Sequence, residues 1–268
     1  MTSRASFAGS RAEHHYDLRG TDALPTDGPD PVVNMGLWRA RPATLHAANL
    51  ALFDRVIELA EIRGGTRVLD VGCGFGTAAM RVAERTDAAQ IVGINVSTVQ
   101  LRTAYELTRA RGLEQRVAFV AASATALPFA DASVDHLVSI EAAFHFDTRD
   151  AFFREAHRVL RPGGTLALAD LVITPPRNRV QEAMLVQLSR ALAFPLGNAY
   201  GLPEYAARVA RAGLVVEHAE SIAHDVVPAF RRWMLRHSWR HRALAADLAA
   251  WPYLVYPWDY ALVRAVRP

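Results

Sequence analysis

Residues 67–77, Arg-Val-Leu-Asp-Val-Gly-Cys-Gly-Phe-Gly-Thr, hold the residue types and spacing that seat a nucleotide-like cofactor. A short apolar run carries one acid, Asp70, into three alternating glycines, Gly72, Gly74 and Gly76, and a helical segment follows from Thr77. Glycines let such a turn adopt positive φ and let a ligand approach without a Cβ in the way. The helix start beyond offers unpaired N–H groups. A strand–turn–helix unit of this kind binds its ligand at the carboxyl edge of a parallel sheet. The dinucleotide fingerprint Gly-x-Gly-x-x-Gly is not met, because Thr77 stands where its third glycine belongs.

Three further positions could take part in chemistry there. About 20 residues beyond the loop a nucleotide site presents a side chain to the ribose hydroxyls, and Asn95 ends the second strand-like run. An amide offers a donor and an acceptor group to a diol; the alternative for Asn95 is a strand end and helix cap. The fourth run ends in Ser139-Ile140-Glu141-Ala142-Ala143-Phe144-His145-Phe146. His145 is the candidate general base, since an imidazole titrating near pH 6.5 can take a proton from a hydroxyl; a packed structural histidine is the alternative. Asp170, at the end of the fifth run, is expected to orient His145 or to cap a turn.

Elements able to position these residues follow from periodicity. Apolar residues from Leu45 to Leu59 recur at helical spacing within 43–62, and Arg63-Gly64-Gly65 ends that helix. Strands are expected at 67–71, 90–94, 116–121, 134–140 and 165–171, alternating with helices at 76–85, 98–111 and 149–160. That alternation predicts a parallel sheet covered on both faces. Leu160-Arg161-Pro162-Gly163-Gly164 is read as a helix breaker turning into the fifth strand. Helices at 177–197, 203–212 and 225–249 and strands at 213–219 and 259–266 complete the reading. Residues 1–33 lack a clear period apart from one turn near His14 to Leu18.

The glycine loop resembles motif I of the class I S-adenosylmethionine (AdoMet) methyltransferases, and the segments that follow resemble the same family. Gly93 to Leu101 is similar to a subset with a non-acidic residue after the second strand and a glutamine five positions on, which includes cyclopropane-forming synthases and macrolide-tailoring methyltransferases. The resemblance assigns Asn95, Val96 and Gln100 to the ribose and adenine. Ala121 to Asp135 resembles the Gly-Asp-Ala-x-x-Leu-Pro-Phe-x-Asp stretch, with Ser123 replacing the acid that meets the adenine amino group and Ala124 beside it. Asp70, Gly72, Cys73, Gly74 and Glu141 are carried over as cofactor contacts. His14-His15-Tyr16-Asp17 and Asn34-Met35-Gly36-Leu37-Trp38 resemble the family's arm over the methionine moiety, which implies cofactor contacts from Tyr16, Met35 and Gly36.

The fold this implies is α/β, Rossmann-like and doubly wound, with seven strands, the last inserted antiparallel. Residues 1–42 are expected as an arm over the cofactor and 43–268 as the methyltransferase domain, with a helical lid inserted at about 172–212. The implied reaction is methyl transfer from AdoMet to a small molecule, above all a hydroxyl of a polyketide, macrolide or other secondary metabolite. Carbon methylation, and a cyclase or scaffold that keeps AdoMet without moving its methyl, stay open because Asn95 and Ser123 replace acids.

Composition narrows the partners. At 268 residues, one domain with a lid fits, and 51% hydrophobic with 21% charged residues suits a soluble enzyme. The single cysteine, Cys73, excludes intrachain disulfides and points to a reducing cytoplasm. All 30 basic residues are arginine, yet the formal charge of +3 is too small to argue for nucleic acid. No apolar run reaches membrane-span length and no signal-peptide core is present, so neither nucleic acid nor membrane is an expected partner. A homo-oligomer is left open. His237 and His241 have the spacing of a metal pair, but Ser238 stands where the glutamate of His-Glu-x-x-His would be, so no metal is expected. Arg231 to Arg242, with Trp233 and Trp239, is read as a solvated basic helix face.

Overall fold

In the computed structural model, which describes residues 27–237 and 256–268, the repeating strand–helix pattern becomes one seven-stranded sheet. The first helix, α1 (Leu45–Ala60), begins where the Thr44 side chain accepts the Ala47 N–H, and it buries Leu45, Leu52, Phe53 and Val56. Then follow β1 (Arg67–Val71), α2 (Thr77–Arg85), β2 (Gln90–Asn95), α3 (Thr98–Ala110), β3 (Val117–Ala121) and β4 (Val134–Ile140). A 3₁₀ turn, Ala143–His145, leads into α4 (Arg149–Val159) and β5 (Leu160–Ile173). The chain continues through α5 (Arg179–Ala191), α6 (Leu202–Arg211), β6 (Val215–Ser221), α7 (Ala223–His237) and β7 (Trp258–Val266).

The spatial order is β3-β2-β1-β4-β5-β7-β6. Strands β1 to β5 pair in parallel, and β7 lies antiparallel between β5 and β6. Order reverses between β1 and β4, the place where doubly wound sheets open a crevice at their carboxyl ends. Successive residues of β1, β4 and β5 are buried because both faces of the sheet are covered. One cluster joins Leu52, Val56 and Val68 to Tyr260, and another joins Leu69, Leu137, Phe152 and Phe153 to Val263.

Most boundaries shift by a residue or two from the periodicity reading, and three of the shifts have a visible cause. Strand β5 begins at Leu160, paired with Val134 ahead of a register shift, because the Gly163 N–H donates to the Arg267 carbonyl and keeps the supposed turn in the sheet. Helix α5 stops at Ala191 instead of 197, ahead of Pro195, whose ring disfavours helix in the residue before it. Strand β6 starts two residues later than expected, after Gly213 turns out of α6 with φ 96°. The final stretch of the helix expected over 225–249 lies outside the described residues, as do the turn near His14, Tyr16, Trp239 and His241.

Candidate active site

A cavity of about 670 Å³ opens at the carboxyl ends of β1, β2 and β4, within the range of small-molecule sites. Asp70, Gly72, Cys73, Gly74, Asn95, Val96, Gln100, Ser123, Ala124, Glu141 and His145 all line it. Residues from four separate stretches of chain therefore converge on one space.

The glycine loop forms its floor. Gly74 has φ 54°, and a Cβ built there would meet nothing within 4 Å, so its missing side chain opens room for a ligand. Gly76 has φ 76° for another reason: a Cβ would press within 2.6 Å of the Phe119 ring, and the residue begins α2 without a side-chain cap. Asp70 reaches the N–H of Ala79 in the first turn of α2, while its Oδ2 is buried without a partner among the described residues. Burial pushes this carboxyl up to about 7. Cys73 packs beneath the loop, its N–H donating to the Ile94 carbonyl, and its thiol is raised first by burial and then by Asp70. A thiol held protonated is a poor nucleophile.

Asn95 lines the cavity and closes the strand end with its side chain bonded to the protein. Its Oδ1 accepts the Val96 N–H at 2.9 Å, which closes the strand end. Its Nδ2 donates to Gln100 Oε1 at 2.7 Å and more weakly to the Gly74 carbonyl at 3.4 Å. The amide group of Gln100 is then the donor this pair turns to a ligand. Ser123 lines the cavity with its Oγ accepting the Thr125 N–H at 3.2 Å and hydrogen-bonded to Thr125 Oγ1 at 2.9 Å. Its turn uses two of the three hydrogen-bonding sites of the hydroxyl and leaves one for a ligand.

Glu141 is the most constrained acid of the cavity. It adopts φ 48°, and its Oε1 accepts both the Met35 N–H at 2.5 Å and the Tyr260 hydroxyl at 2.8 Å. Burial pushes it up to about 8 against those two bonds. Met35 and Gly36 are not among the lining residues. Met35 contributes its N–H and its apolar side chain to the core, and Gly36 is pressed against Ala48. Asn34 lines the cavity in their stead. Its Oδ1 accepts the Gly36 N–H and Asn49 Nδ2, which fixes the amide orientation and leaves a buried Nδ2 without a partner among the described residues. The quoted Asn-Met-Gly segment already contained this residue; only its inward amide was hidden.

His145 ends the 3₁₀ turn with its ring against Phe144, centroids 3.8 Å apart. Its Nδ1 lies 3.4 Å from the Ala193 carbonyl. A carbonyl only accepts, so this contact calls for the tautomer with the proton on Nδ1. Asp170 does not orient this ring, contrary to expectation. Its Oδ2 pairs with Arg149 Nη2 at 2.9 Å and accepts the Tyr205 hydroxyl, and its Oδ1 accepts the Phe144 N–H. Both members of the Arg149–Asp170 pair are buried, and such a cation draws the carboxylate more strongly than a neutral imidazole. Arg149, Asn198 and Tyr260 are the participants that sequence reasoning missed. Arg149 alone left a signal, a charge at the start of α4 four residues after His145.

These walls fit the AdoMet that the resemblance implies. Asp70, Glu141 and Asp147 line the cavity and no arginine does among the described residues, which suits a sulfonium cation. The unpartnered Asp70 Oδ2 and Asn34 Nδ2 offer an acceptor and a donor to an amino-acid end.

Comparison with known proteins agrees with this geometry. The family model described as mycolic acid cyclopropane synthetase matches residues 7–253. Erythromycin 3''-O-methyltransferase of Saccharopolyspora erythraea is 32% identical over 233 residues, covering 85% of this chain and 76% of that protein. The 27-O-demethylrifamycin SV methyltransferase of Amycolatopsis mediterranei is 35% identical over 198 residues, covering 74% and 71%. Among solved structures, the cyclase SpnF superposes with a TM-score of 0.76 at 27% identity over 97% of this chain and 96% of that one.

Proposed function

We propose, since the chain belongs to the mycolic acid cyclopropane synthetase family of class I AdoMet-dependent methyltransferases, that its acceptor is a hydroxyl of a polyketide, macrolide or related secondary metabolite. The chain is an AdoMet-dependent methyltransferase with a small-molecule acceptor. The observation that carries the hydroxyl reading is that the glycine loop, the Asn95–Gln100 pair and His145 line one cavity.

AdoMet supplies a methyl group made electrophilic by its sulfonium. The chain's contribution is to bind, align and deprotonate. The open face of Gly74 lets backbone approach the cofactor, Gln100 and Asn95 serve its ribose, and Asp70 and Asn34 serve its amino-acid end. His145 takes the acceptor's hydroxyl proton on Nε2 while Nδ1–H stays on the Ala193 carbonyl. Alignment of the acceptor oxygen against the methyl contributes more than the proton transfer. In this reading residues 1–42 are the arm, about 172–212 the lid, and a reducing cytoplasm the setting.

Incubation with methyl-labelled AdoMet and a panel of macrolide aglycones, glycosylated macrolides and polyketide phenols tests the reading. One acceptor should gain a label on oxygen, located by mass fragmentation. Label on carbon would overturn the oxygen assignment. AdoMet binding with no labelled product from any acceptor would favour the cyclase alternative, to which the 27% identity with SpnF lends support.

A further inference from the structure

His145 sits in a short turn that is gripped from outside its own element. Asn198, from the 3₁₀ turn Leu196–Asn198, is 1% exposed. Its Nδ2 donates to the Phe144 carbonyl at 3.0 Å and to the Phe146 carbonyl at 2.8 Å, the carbonyls of the two residues on either side of His145. Both hydrogens of one amide thus bracket one residue. The amide is itself held: Oδ1 faces the Arg149 N–H at 3.4 Å, and the Asn198 carbonyl accepts Arg149 Nη1 at 2.8 Å. Arg149 is anchored in turn by Asp170 and by the Leu171 carbonyl at 2.6 Å. The carbonyl that meets the His145 ring, Ala193, belongs to the same insertion as Asn198.

We propose that Asn198 is a positioning residue for His145, so that seating the inserted segment and aligning the imidazole are one event. The inference rests on the reading of His145 as base. An amide alone suits the place: it gives two donors in one plane to two carbonyls and an acceptor to a third group. Misplacing a catalytic group by about 1 Å costs on the order of 100-fold in rate, so the bracket acts on turnover with no contact to the substrate.

Asn198→Ala should lower kcat by about 10- to 100-fold with the acceptor found in the panel, leaving KM for AdoMet and the calorimetric affinity for S-adenosylhomocysteine within about twofold of the parent. Asn198→Asp, which keeps the shape and the acceptor for the Arg149 N–H while losing both donors, should do the same and is the second variant should the alanine one fail to fold. The double variant His145→Ala/Asn198→Ala should be no slower than His145→Ala alone, because a positioning residue has nothing left to position. Independent of turnover, nitrogen-15 NMR of His145 should show the Nδ1–H tautomer in the parent and a mixture in either Asn198 variant. Losses that multiply in the double variant, or an unchanged tautomer, would overturn the proposal. Parent-like turnover of His145→Ala together with the tautomer change would instead remove the base reading and keep the bracket as a purely structural one.

Discussion

At Gly74 a single missing side chain separates a folded protein from one that binds. Because a Cβ there meets nothing within 4 Å, Gly74→Val should fold, at a cost of about 1–3 kcal/mol for its left-handed backbone. Calorimetry should nonetheless show AdoMet binding abolished, since the branched side chain would occupy ligand space. Two carboxyls give a second test. Asp70 is held up to about 7 and Glu141 to about 8, in both cases first by burial. An arriving cation favours their ionised forms, so binding releases protons, and affinity should fall below about pH 7–8 by up to about tenfold per pH unit for each carboxyl that must ionise. Calorimetry in buffers of different ionisation enthalpy reads those protons; equal affinity at pH 6 and 9 would remove both groups from the cation's vicinity. For the ligand-free chain the sign is reversed. A raised folded pKa means stability is present below the ordinary carboxylate range and is lost as pH climbs through about 7 to 8. Asp70→Asn should accordingly stabilise the ligand-free chain at pH 8 by about 1–3 kcal/mol and weaken AdoMet.

Among the elements, the join between α4 and β5 carries the largest electrostatic commitment. Arg149 is wholly buried, pairs with Asp170, and lies 5.1 and 5.0 Å from the Tyr200 and Tyr205 ring centroids. Removing one partner of such a pair leaves a buried charge uncompensated. Arg149→Met should destabilise the chain by about 3–5 kcal/mol in urea unfolding, whereas Asp170→Asn, which retains an acceptor for Arg149 and Tyr205, should do less. Equal losses would mean that burial of the tyrosines, not the ion pair, holds the join. Helix starts tell the opposite story about legibility. Thr44, Ser97, Thr148 and Asn178 each accept an N–H from the first turn of their own helix, a bond between near neighbours that sequence spacing reveals. The Arg149 pair spans 21 positions and no local period announces it.

Across the whole molecule, a ligand that binds only the folded chain raises its stability by mass action. S-adenosylhomocysteine at about 100 times its dissociation constant adds about 2.7 kcal/mol, which for a chain of this size is a rise in Tm of about 5–10 °C. NAD at the same concentration should give no shift, since Thr77 replaces the third dinucleotide glycine; a larger shift with NAD would overturn the cofactor assignment. No helix among the described residues is long and apolar enough to cross a membrane.

The order and type of the elements, and the seat of the cofactor, were determined by sequence alone. Alternating apolar runs and a contiguous glycine turn are local signals, set by sterics and hydrophobic period within a few residues. That is why β1 and β4 match their expected bounds and why most of the expected cofactor residues line one cavity. Tertiary structure decided how the site is wired. Asp170 turned from His145 to Arg149, Ser123 folded onto Thr125, and Asn34 replaced Met35 and Gly36 at the wall. Asn198 reaches Phe144 across 54 positions and Tyr260 reaches Glu141 across 119. Buried donors and acceptors must find partners wherever packing delivers them, and that delivery depends on how the sheet closes, a property of the assembled chain that no single stretch of it encodes.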